Sequence, residues 1–267
     1  MGILVQHGFE GFVEEDDSLR AYIRADQWND SVLSSLRSSL AEAEKDTGDG
    51  HPLCIEEVLE ERNWNEDWEK NVREVIIDDA VAIVPSWCPM DMPELKDKMI
   101  LRIDPKMSFG TGHHETTRLS LRLISRYARP GMEVLDFGSG TAVLAIYALK
   151  CGAKHAVAID NDEWSVENAS ENAARNGVVD SITILEGSLE KVDDRMYDMI
   201  CANIDFPTLM RYIPRLCSLC RIGGAIIMSG LLHTDLERIK PVYEQEKYEA
   251  IEMQRENEWI ALALKRK

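Results

Sequence analysis

The sequence predicts an α/β fold, with a mostly parallel, doubly wound sheet preceded by a small α+β domain. Three observations predict it. The strand Glu133–Phe137 continues through a glycine turn, Gly138–Gly140, into a helix and a second strand, which together form a β-α-β unit. Predicted strands and helices then alternate to the C-terminus, as they do around a parallel sheet. Two short strands and an amphipathic helix come before this region.

The small domain is predicted to span residues 1–60. Its elements, in chain order, are the strand Glu10–Val13, the acidic turn Glu14–Ser18, the strand Leu19–Arg24, the helix Asp30–Glu44, the loop Lys45–Pro52 and a strand around Cys54–Glu60. Leu33, Leu36 and Leu40 fall on one face of the helix, as amphipathic packing requires. The loop is rich in Gly, Asp and Pro, which favour turns.

Residues 61–98 are predicted to form a linker that contains a helix and a strand. The charged helix Asn63–Val72 carries Trp64 and Trp68 one turn apart, so both side chains face the same way. We expect them to pack against a neighbouring domain rather than to bind a cofactor. The strand Glu74–Pro85 then leads into the main domain.

The main domain is predicted to span residues 99–267. Its elements are the strands Met99–Ile103 and Glu133–Phe137, the helix Thr141–Lys150, the strand His155–Ile159, the helix Glu163–Asn176, the strands Ile182–Leu185 and Tyr197–Asn203, the helix Phe206–Leu219, the strand Ala225–Ser229, the helix Thr234–Glu246, and the strands Tyr248–Met253 and Trp259–Leu264. Polar residues follow several of the strands. The carboxyl ends of parallel strands form the ligand-binding edge of such a sheet.

The glycine turn and Asp160 predict a nucleoside-binding site at this edge. Gly138 and Gly140 have no Cβ, so a ligand can approach the backbone closely there. Asp160 follows the next strand, where a carboxylate can accept both hydroxyl groups of a ribose. All three are therefore candidate cofactor-binding residues.

Dinucleotides and S-adenosylmethionine both fit this layout, and the details of the sequence favour the second. The dinucleotide fingerprint has a third glycine where this chain has Val143. A phosphate-binding loop would also need a lysine near the start of the helix, and none lies there before Lys150. Asp136, just before the turn, would repel a pyrophosphate but could receive a cation. S-adenosylmethionine carries an ammonium and a sulfonium and no phosphate. We therefore predict a methyltransferase rather than a dehydrogenase, with Asp136 as a further cofactor-binding residue.

Composition limits the classes of partner. The chain of 267 residues is long enough for one large domain and a small one. It has no long apolar run, and its first residues do not form a basic region followed by a long apolar segment. A cytoplasmic protein without a membrane segment is therefore expected. Its 30 Lys and Arg against 48 Asp and Glu give a net charge of −18. Without a basic patch such a chain is repelled by phosphate backbones, which argues against nucleic acid and makes a basic protein the easier partner.

Two clusters could bind metal, and we predict that neither does. Cys217 and Cys220 form a lone C-x-x-C on a predicted helix, without the second pair of a zinc site, so a reduced structural pair is expected. His113, His114 and Glu115 are contiguous, a poor spacing for tetrahedral ligands. We interpret these three residues as part of a polar loop.

Three longer segments resemble a known family. IDPKMSFGTGHHETTRL (Ile103–Leu119), LDFGSGTAVLAI and AIDNDEWSVENASENAARNGV resemble the PrmA-type bacterial methyltransferases, which methylate protein eleven of the large ribosomal subunit. The similarity runs from about residue 63 to the C-terminus and more loosely back to the N-terminus. FGTGHHETT is specific to the family, whereas the glycine turn indicates only the superfamily. The resemblance implies a class I methyltransferase domain, whose sheet ends in an antiparallel strand, and a small ferredoxin-like domain that recognises the ribosomal protein.

The resemblance also implies roles for individual residues. Those that would contact the methyl donor are Thr117, the closing loop Phe109, Gly110 and Thr111, then Gly138 at the methionine part, Asp160 at the ribose, and Asn203 beside the transferable methyl group. Asn203 would also orient the acceptor amine, a lysine ε-amine or the α-amine of the ribosomal protein. The enzyme is expected to be a monomer.

Three departures from the family bear on this expectation. Ala142 stands in place of the family's third turn glycine, a small change that should preserve donor binding. Asp205-Phe206-Pro207 replaces a proline-free polar loop beside the acceptor site, so the identity of the acceptor stays open. The chain also begins late in the family's first helix, so the small domain is expected to be truncated at its N-terminus.

Two alternatives therefore stay open. The first is methylation of another protein, a nucleic acid or a small molecule. Phe206, three residues after Asn203, loosely resembles the aromatic residue that stacks on a flipped base in adenine methyltransferases, but the prolines of that motif are missing and the charge opposes it. The second is a protein that binds the donor without turnover.

Overall fold

The computed structural model describes residues 2–15, 18–25, 27–47, 55, 57, 72–106 and 108–267. The chain divides into two compact units, residues 1–62 and 63–267. The strand expected around Cys54–Glu60 and the helix expected over Asn63–Val72, with Trp64 and Trp68, lie almost wholly outside the described residues. The predicted domain boundaries after residues 60 and 98 remain predictions.

The first unit contains a hairpin and a long helix. Its elements are α1 (Gly2–Gln6), β1 (Gly11–Glu15), β2 (Ser18–Tyr22) and α2 (Asp30–Thr47). β1 and β2 pair antiparallel, and the side chain of Asn29 accepts hydrogen bonds from two backbone N–H groups at the start of α2. α2 continues through Thr47 because Ala41–Lys45 consists of strong helix formers, so the prediction that a loop begins at Lys45 is wrong. The ferredoxin-like character of this unit remains a prediction.

The second unit contains ten strands and five helices among its described residues. They are β3 (Val75–Ile76), β4 (Val81–Val84), β5 (Met99–Arg102), α3 (Glu115–Tyr127), β6 (Glu133–Phe137), α4 (Val143–Lys150), β7 (His155–Asp160), α5 (Glu163–Arg175), β8 (Ile182–Glu186), β9 (Tyr197–Asn203), α6 (Phe206–Leu219), β10 (Cys220–Leu232), α7 (Leu236–Gln245), β11 (Tyr248–Glu256) and β12 (Trp259–Arg266). Short 3-10 turns begin at residues 93, 179, 189 and 233.

Seven strands form one sheet in the order β11-β12-β10-β9-β6-β7-β8. The neighbours from β10 to β8 all pair parallel, whereas β12 pairs antiparallel with both β10 and β11. The chain starts in the middle of this sheet at β6, winds outward through β7 and β8, and then returns to β9 on the other side. The predicted mostly parallel, doubly wound sheet with one antiparallel strand near the C-terminus is therefore confirmed.

Helices cover both faces of the sheet, and each face has its own apolar core. Side chains of α3, α4 and α5 share one cluster with Val134, Ala156 and Met199 of the sheet. Side chains of α6 and α7 share the other cluster with Leu135 and Ile200. Neighbouring residues of a strand point to opposite faces, so strands buried on both sides are apolar throughout.

The segment predicted as one strand, Glu74–Pro85, is two strands. Asp78 interrupts it, because its Oδ1 accepts hydrogen bonds from the N–H groups of Ala80 and Val81 at 2.8 and 3.1 Å and so forms a tight turn. β3 and β4 then pair antiparallel, and β4 pairs parallel with β5 in a separate three-stranded sheet.

Several other boundaries differ from the prediction, and two of the differences concern the glycine turn and the cysteines. α4 begins at Val143 rather than Thr141, because Ala142 has φ of +59°, which is left-handed and cannot continue a helix. Cys217 lies in α6, but Cys220 is the first residue of β10, so the C-x-x-C does not lie on one helix. The described cysteines are all free thiols. Among the described helices, none has both the length and the apolar character needed to cross a bilayer.

Candidate active site

A cavity of about 540 Å³ opens where β6, β7 and β9 end side by side. The chain reverses its winding direction at this point, since β6 lies between β7 and β9, and such switch points are where open α/β sheets bind ligands. The lining residues are Phe109, His114, Thr116, Gly138, Gly140, Asp160, Asn161, Ser165, Asn203, Ile204, Asp205, Phe206, Gly230, Leu232, Asp235 and Trp259. Five of the predicted site residues are therefore brought together.

The two turn glycines are required by close contacts as well as by backbone angles. Gly138 has φ of +71°, and a Cβ there would lie 2.2 Å from a side-chain methyl of Ile204. Gly140 has φ of +51°, and a Cβ there would lie 2.3 Å from the carbonyl oxygen of Phe109. A side chain at either position would push apart segments that line the cavity.

Asp160 holds the turn while facing the cavity. Its Oδ2 accepts a hydrogen bond from the N–H of Gly140 at 2.8 Å, and its Oδ1 accepts one from the N–H of Asp162 at 3.1 Å. Each carboxylate oxygen has a second lone pair. The side chain can therefore accept further hydrogen bonds from a ligand while keeping its place.

Asp136 lies beneath the turn and does not line the cavity. Its side chain is fully buried, and its Oδ2 accepts a hydrogen bond from the N–H of Ala145 at 3.0 Å. Burial raises the pKa of Asp136 to about 8, and the charge of Asp160 adds to the effect. The group is therefore mainly protonated at neutral pH, which does not support the prediction that it receives the cationic part of a cofactor.

The loop that was predicted to close over the cofactor is fixed to the glycine turn. The N–H of Thr141 donates to the carbonyl of Phe109 at 2.9 Å, and the Thr141 hydroxyl donates to the carbonyl of Gly110 at 3.0 Å. The Phe109 ring is half exposed and lines the cavity. Gly110 and Thr111 do not line it, so their predicted contact with a cofactor remains a prediction.

The interpretation of His113–Glu115 as a loop is confirmed for His113 and His114 and wrong for Glu115, which begins α3. The helix begins at Glu115, and His114 caps it, with its Nδ1 accepting a hydrogen bond from the N–H of Thr116 at 3.3 Å. His114 and Thr116 line the cavity, whereas Thr117 does not. Thr117 is completely buried, and its hydroxyl has no hydrogen-bond partner among the described residues. Within those residues no group of three or more His, Cys, Asp and Glu could hold a metal ion.

Asn203 is the last residue of β9 and Asp205 follows it, and the two side chains have different roles. The Asn203 side chain lines the cavity, and its Oδ1 is buried without a hydrogen-bond partner in the described part of the chain. Asp205 caps α6, since its Oδ1 accepts a hydrogen bond from the N–H of Thr208 at 3.0 Å. The Thr208 hydroxyl and N–H lower the pKa of Asp205. Asn203 thus offers an unused acceptor, while Asp205 is engaged in the helix cap.

Eleven lining residues were not among the predicted site residues. They are His114, Thr116, Asn161, Ser165, Ile204, Asp205, Phe206, Gly230, Leu232, Asp235 and Trp259. His114 and Thr116 lie within FGTGHHETT, and Ile204–Phe206 directly follow Asn203, so their neighbours in the sequence could have indicated them. Gly230 and Trp259 come from β10 and β12, and no local pattern connects them with the site.

Comparison with known proteins identifies the family to which this fold and site belong. A family model described as ribosomal protein L11 methyltransferase (PrmA) matches residues 5–267. The chain belongs to this family. A ribosomal protein L11 methyltransferase of Chlorobaculum parvum is 34% identical to this PrmA-family protein over 271 residues, which cover 100% of the chain and 91% of the relative. One of Bacteroides fragilis is 33% identical over 261 residues, with 97% and 90% covered.

Solved structures support the same fold. The crystal structure of a ribosomal protein L11 methylase from Lactobacillus delbrueckii subsp. bulgaricus matches this PrmA-family protein with a TM-score of 0.68 and 35% identity, over 73% of this chain and 100% of that one. A putative methyltransferase complexed with SAH matches with a TM-score of 0.51 over 58% and 50%, but at 15% identity it shows the fold alone. The predicted class I methyltransferase and the PrmA resemblance are confirmed.

Proposed function

We propose that this PrmA-family protein transfers methyl groups from S-adenosylmethionine to amino groups of ribosomal protein L11, either lysine ε-amines or the α-amine. The proposal rests on family membership together with one observation. The glycine turn, Asp160 and Asn203 lie around a single cavity at the switch point of the sheet.

The chemistry of the cavity fits the donor. Gly138 and Gly140 line the cavity with backbone alone, and Asp160, the last residue of β7, offers a carboxylate that still has free lone pairs. We assign the ribose hydroxyls to Asp160 and the methionine part to the glycine turn. Phe109, Gly110 and Thr111 would form the covering loop, with Thr117 behind it. When bound, S-adenosylmethionine supplies an electrophilic methyl group on a positively charged sulfur.

The protein's own part in the reaction is to position the acceptor amine. An ammonium ion has no lone pair, so the acceptor must lose its proton before it attacks. The lining residues Phe109, Ile204 and Trp259 are apolar, and such surroundings lower the pKa of an amine. The buried Oδ1 of Asn203 can accept a hydrogen bond from the neutral amine and so orient it. Positioning of this kind can contribute about 7–11 kcal/mol.

The charge of the chain agrees with a protein acceptor. A net charge of −18 attracts basic proteins and repels phosphate backbones. We therefore propose that the enzyme acts on ribosomal protein L11 without binding nucleic acid directly, and that it does so as a monomer.

Methyl transfer from labelled S-adenosylmethionine to purified ribosomal proteins tests the proposal. Label should enter L11, and Asp160→Ala should abolish both the labelling and donor binding measured by calorimetry. Glu167→Ala is the matched control, because it also removes a carboxylate near the start of α5 but is exposed and does not line the cavity. Donor binding without labelling of L11 would favour another acceptor or a protein without turnover. A wild-type protein that does not bind the donor would refute the proposal.

A further inference from the structure

Arg118 connects the first turn of α3 to the loop in front of it. Its Nη1 donates hydrogen bonds to the carbonyl oxygens of Gly112, at 3.1 Å, and of His113. The side chain is 16% exposed, so these contacts are largely shielded from water. The same side chain lies 3.7 Å from Glu115, one turn earlier in the helix. Arg118 therefore fixes the end of the loop that enters α3.

The other edge of the Arg118 guanidinium binds the end of β11. Its Nε and Nη2 donate to Oε1 of Glu256 at 2.9 and 2.6 Å. Arg122 donates to the second carboxylate oxygen at 2.7 Å. Burial alone would raise the pKa of Glu256, but the hydrogen bonds and charges of Arg118 and Arg122 lower it. Glu256 is therefore a charged partner for both arginines.

The two segments that Arg118 joins form adjoining walls of the cavity. The loop contributes Phe109 and His114, and the turn after Glu256 leads to Trp259. The rings are in contact, with centroids 5.3 Å apart for Phe109 and His114 and 4.8 Å apart for His114 and Trp259. Glu115 adds a second connection between the segments, because its Oε1 accepts a hydrogen bond from the side chain of Asn257 at 2.9 Å.

The loop is thus fixed at both ends. At its start, the carbonyls of Phe109 and Gly110 accept hydrogen bonds from Thr141 beside the glycine turn. At its end, the carbonyls of Gly112 and His113 accept hydrogen bonds from Arg118. A guanidinium is the one side-chain cation whose planar fork can bind two carbonyls and a carboxylate at once.

We propose that Arg118, held by Glu256, is a positioning residue that sets the loop and Trp259 around the methyl donor. It touches no reacting group and acts through Phe109, His114 and Trp259. The catalytic role of Arg118 rests on the proposed function, but the effect of Arg118 on donor binding does not depend on the identity of the acceptor.

The same helix and strand contain a matched control pair. Arg126 of α3 forms an ion pair with Glu252 of β11, and the Glu252 side chain also accepts a hydrogen bond from the hydroxyl of Tyr127 at 3.0 Å. The Glu252 and Glu256 side chains are 21% and 26% exposed. Neither Arg126 nor Glu252 contacts the loop or lines the cavity. Replacing this pair therefore removes another α3–β11 ion pair at a site remote from the cavity, although Arg126 is 60% exposed and Arg118 only 16%.

The test compares Glu256→Ala and Arg118→Lys with Glu252→Ala and Arg126→Lys in the full chain. The affinity for S-adenosylhomocysteine is measured by calorimetry, and KM for the donor, KM for L11 and kcat are measured in the labelling assay. The first pair should weaken affinity for S-adenosylhomocysteine about tenfold, because the loop and Trp259 are no longer held in place around the donor, and should raise KM for the donor similarly. KM for L11 should stay within about twofold of the wild-type value in the first pair. In the second pair, the affinity for S-adenosylhomocysteine, both KM values and kcat should all be unchanged.

Thermal melting of all four variants separates positioning from folding. If all four variants stay folded at the assay temperature, weaker S-adenosylhomocysteine binding only in the first pair supports the inference, whatever the difference in melting temperature. Equal binding in both pairs would overturn it, even if wild-type enzyme labels L11. If wild-type enzyme binds S-adenosylhomocysteine but does not label L11, the proposed acceptor is wrong, and the binding comparison still decides the role of Arg118.

Discussion

Asn172 of α5 pairs with the backbone of Asp104 as a neighbouring strand would. Its Oδ1 accepts a hydrogen bond from the N–H of Asp104 at 2.9 Å, and its Nδ2 donates to the carbonyl of Asp104 at 3.3 Å. Asn176, one turn later, pairs in the same way with the N–H and carbonyl of Arg102, at 3.0 and 2.7 Å. Asparagines four residues apart lie on one face of a helix, so their side chains can hydrogen-bond to the backbone N–H and carbonyl groups of every second residue of an extended chain.

The pairing of Asn172 with Asp104 connects the segment after β5 with the cavity. The Nδ2 of Asn172 also lies 3.3 Å from the carbonyl of Thr141, the residue that holds the loop at Phe109 and Gly110. Asn168 adds a hydrogen bond to the carbonyl of Asp104 at 3.0 Å. The chain that leaves β5 is therefore placed by α5 before it reaches the loop that lines the cavity.

We predict that Asn172→Ala destabilises the protein by about 2–4 kcal/mol. The variant leaves the N–H of Asp104 unpaired in a buried site, and each such group costs about 1–3 kcal/mol, to which the lost packing adds. Urea unfolding measures the change. Ser170→Ala, on the exposed face of the same helix, should change stability by less than about 0.5 kcal/mol. Similar losses in the two variants would show that the pairing with Asp104 contributes little.

Asn203 provides a test of acceptor positioning. Its unpaired Oδ1 makes no hydrogen bond to the described protein, so Asn203→Ala removes an acceptor without breaking a visible structural contact. We expect kcat for methylation of L11 to fall about 100-fold, the size of effect that misplacing a reacting group can have. Affinity for S-adenosylhomocysteine should change less than about threefold, or about 0.6 kcal/mol. A fall in donor affinity as large as the fall in kcat would assign Asn203 to the donor instead.

Gly230 should control the position of the segment after Asn203. It has φ of +82° and lies where the pairing of β10 with β12 shifts register. A Cβ there would lie 2.1 Å from the carbonyl oxygen of Ile204. We expect Gly230→Ala to displace Ile204 and to lower kcat at least about tenfold, since backbone cannot move aside as a flexible side chain can.

Gly177→Ala is the control for this variant. Gly177 also has a positive φ, +67°, but no atom lies within 4 Å of the added Cβ. Gly177→Ala should lose about 1 kcal/mol of stability from backbone strain. Gly230→Ala should lose more because of the clash with Ile204, and only this variant should lose activity. Equal kcat values in the two variants would show that the contact with Ile204 does not matter for the reaction.

The parts of the site that the sequence predicts are those made by consecutive residues. Strand, glycine turn and carboxylate follow one another from Glu133 to Asp160, so their spacing alone indicates the fold and the donor site. Gly230 and Trp259 reach the cavity only because β10 lies next to β9 and β12 lies next to β10 in the sheet. Their place depends on strand order, which no local pattern contains.

Like strand order, the burial of individual side chains is not evident from the sequence. Asp136 and Asp160 both follow apolar residues near the ends of neighbouring strands, and the sequence suggests a cofactor contact for each. In the structure Asp160 faces the cavity, whereas Asp136 points into the protein beneath α4. Asp136 pairs with Ala158, two residues before Asp160, so the two side chains point to the same face of the sheet. They differ in how far they lie from its end, and this depends on strand register, which no local pattern contains.

Asp136 should make stability decrease with rising pH. Burial raises its pKa to about 8, whereas an unfolded aspartic acid titrates near 3.9. Between these values the folded protein keeps a proton that the unfolded chain has released. The stability contributed by the protonated group is therefore fully present below about pH 4 and is lost as the pH rises through about 8.

Asp136→Asn should remove this loss. Asparagine keeps an oxygen for the N–H of Ala145, at 3.0 Å in the wild type, but cannot ionise. Urea unfolding at several values from about pH 5 to about pH 8 should show the variant gaining stability relative to wild type as the pH rises, because the window lies above the ordinary range of exposed carboxylates. Glu167→Gln, on the exposed part of α5, should follow the wild-type curve. If the difference between Asp136→Asn and wild type is constant with pH, the Asp136 carboxyl is already charged in the folded protein at about pH 5, and the assigned pKa is wrong.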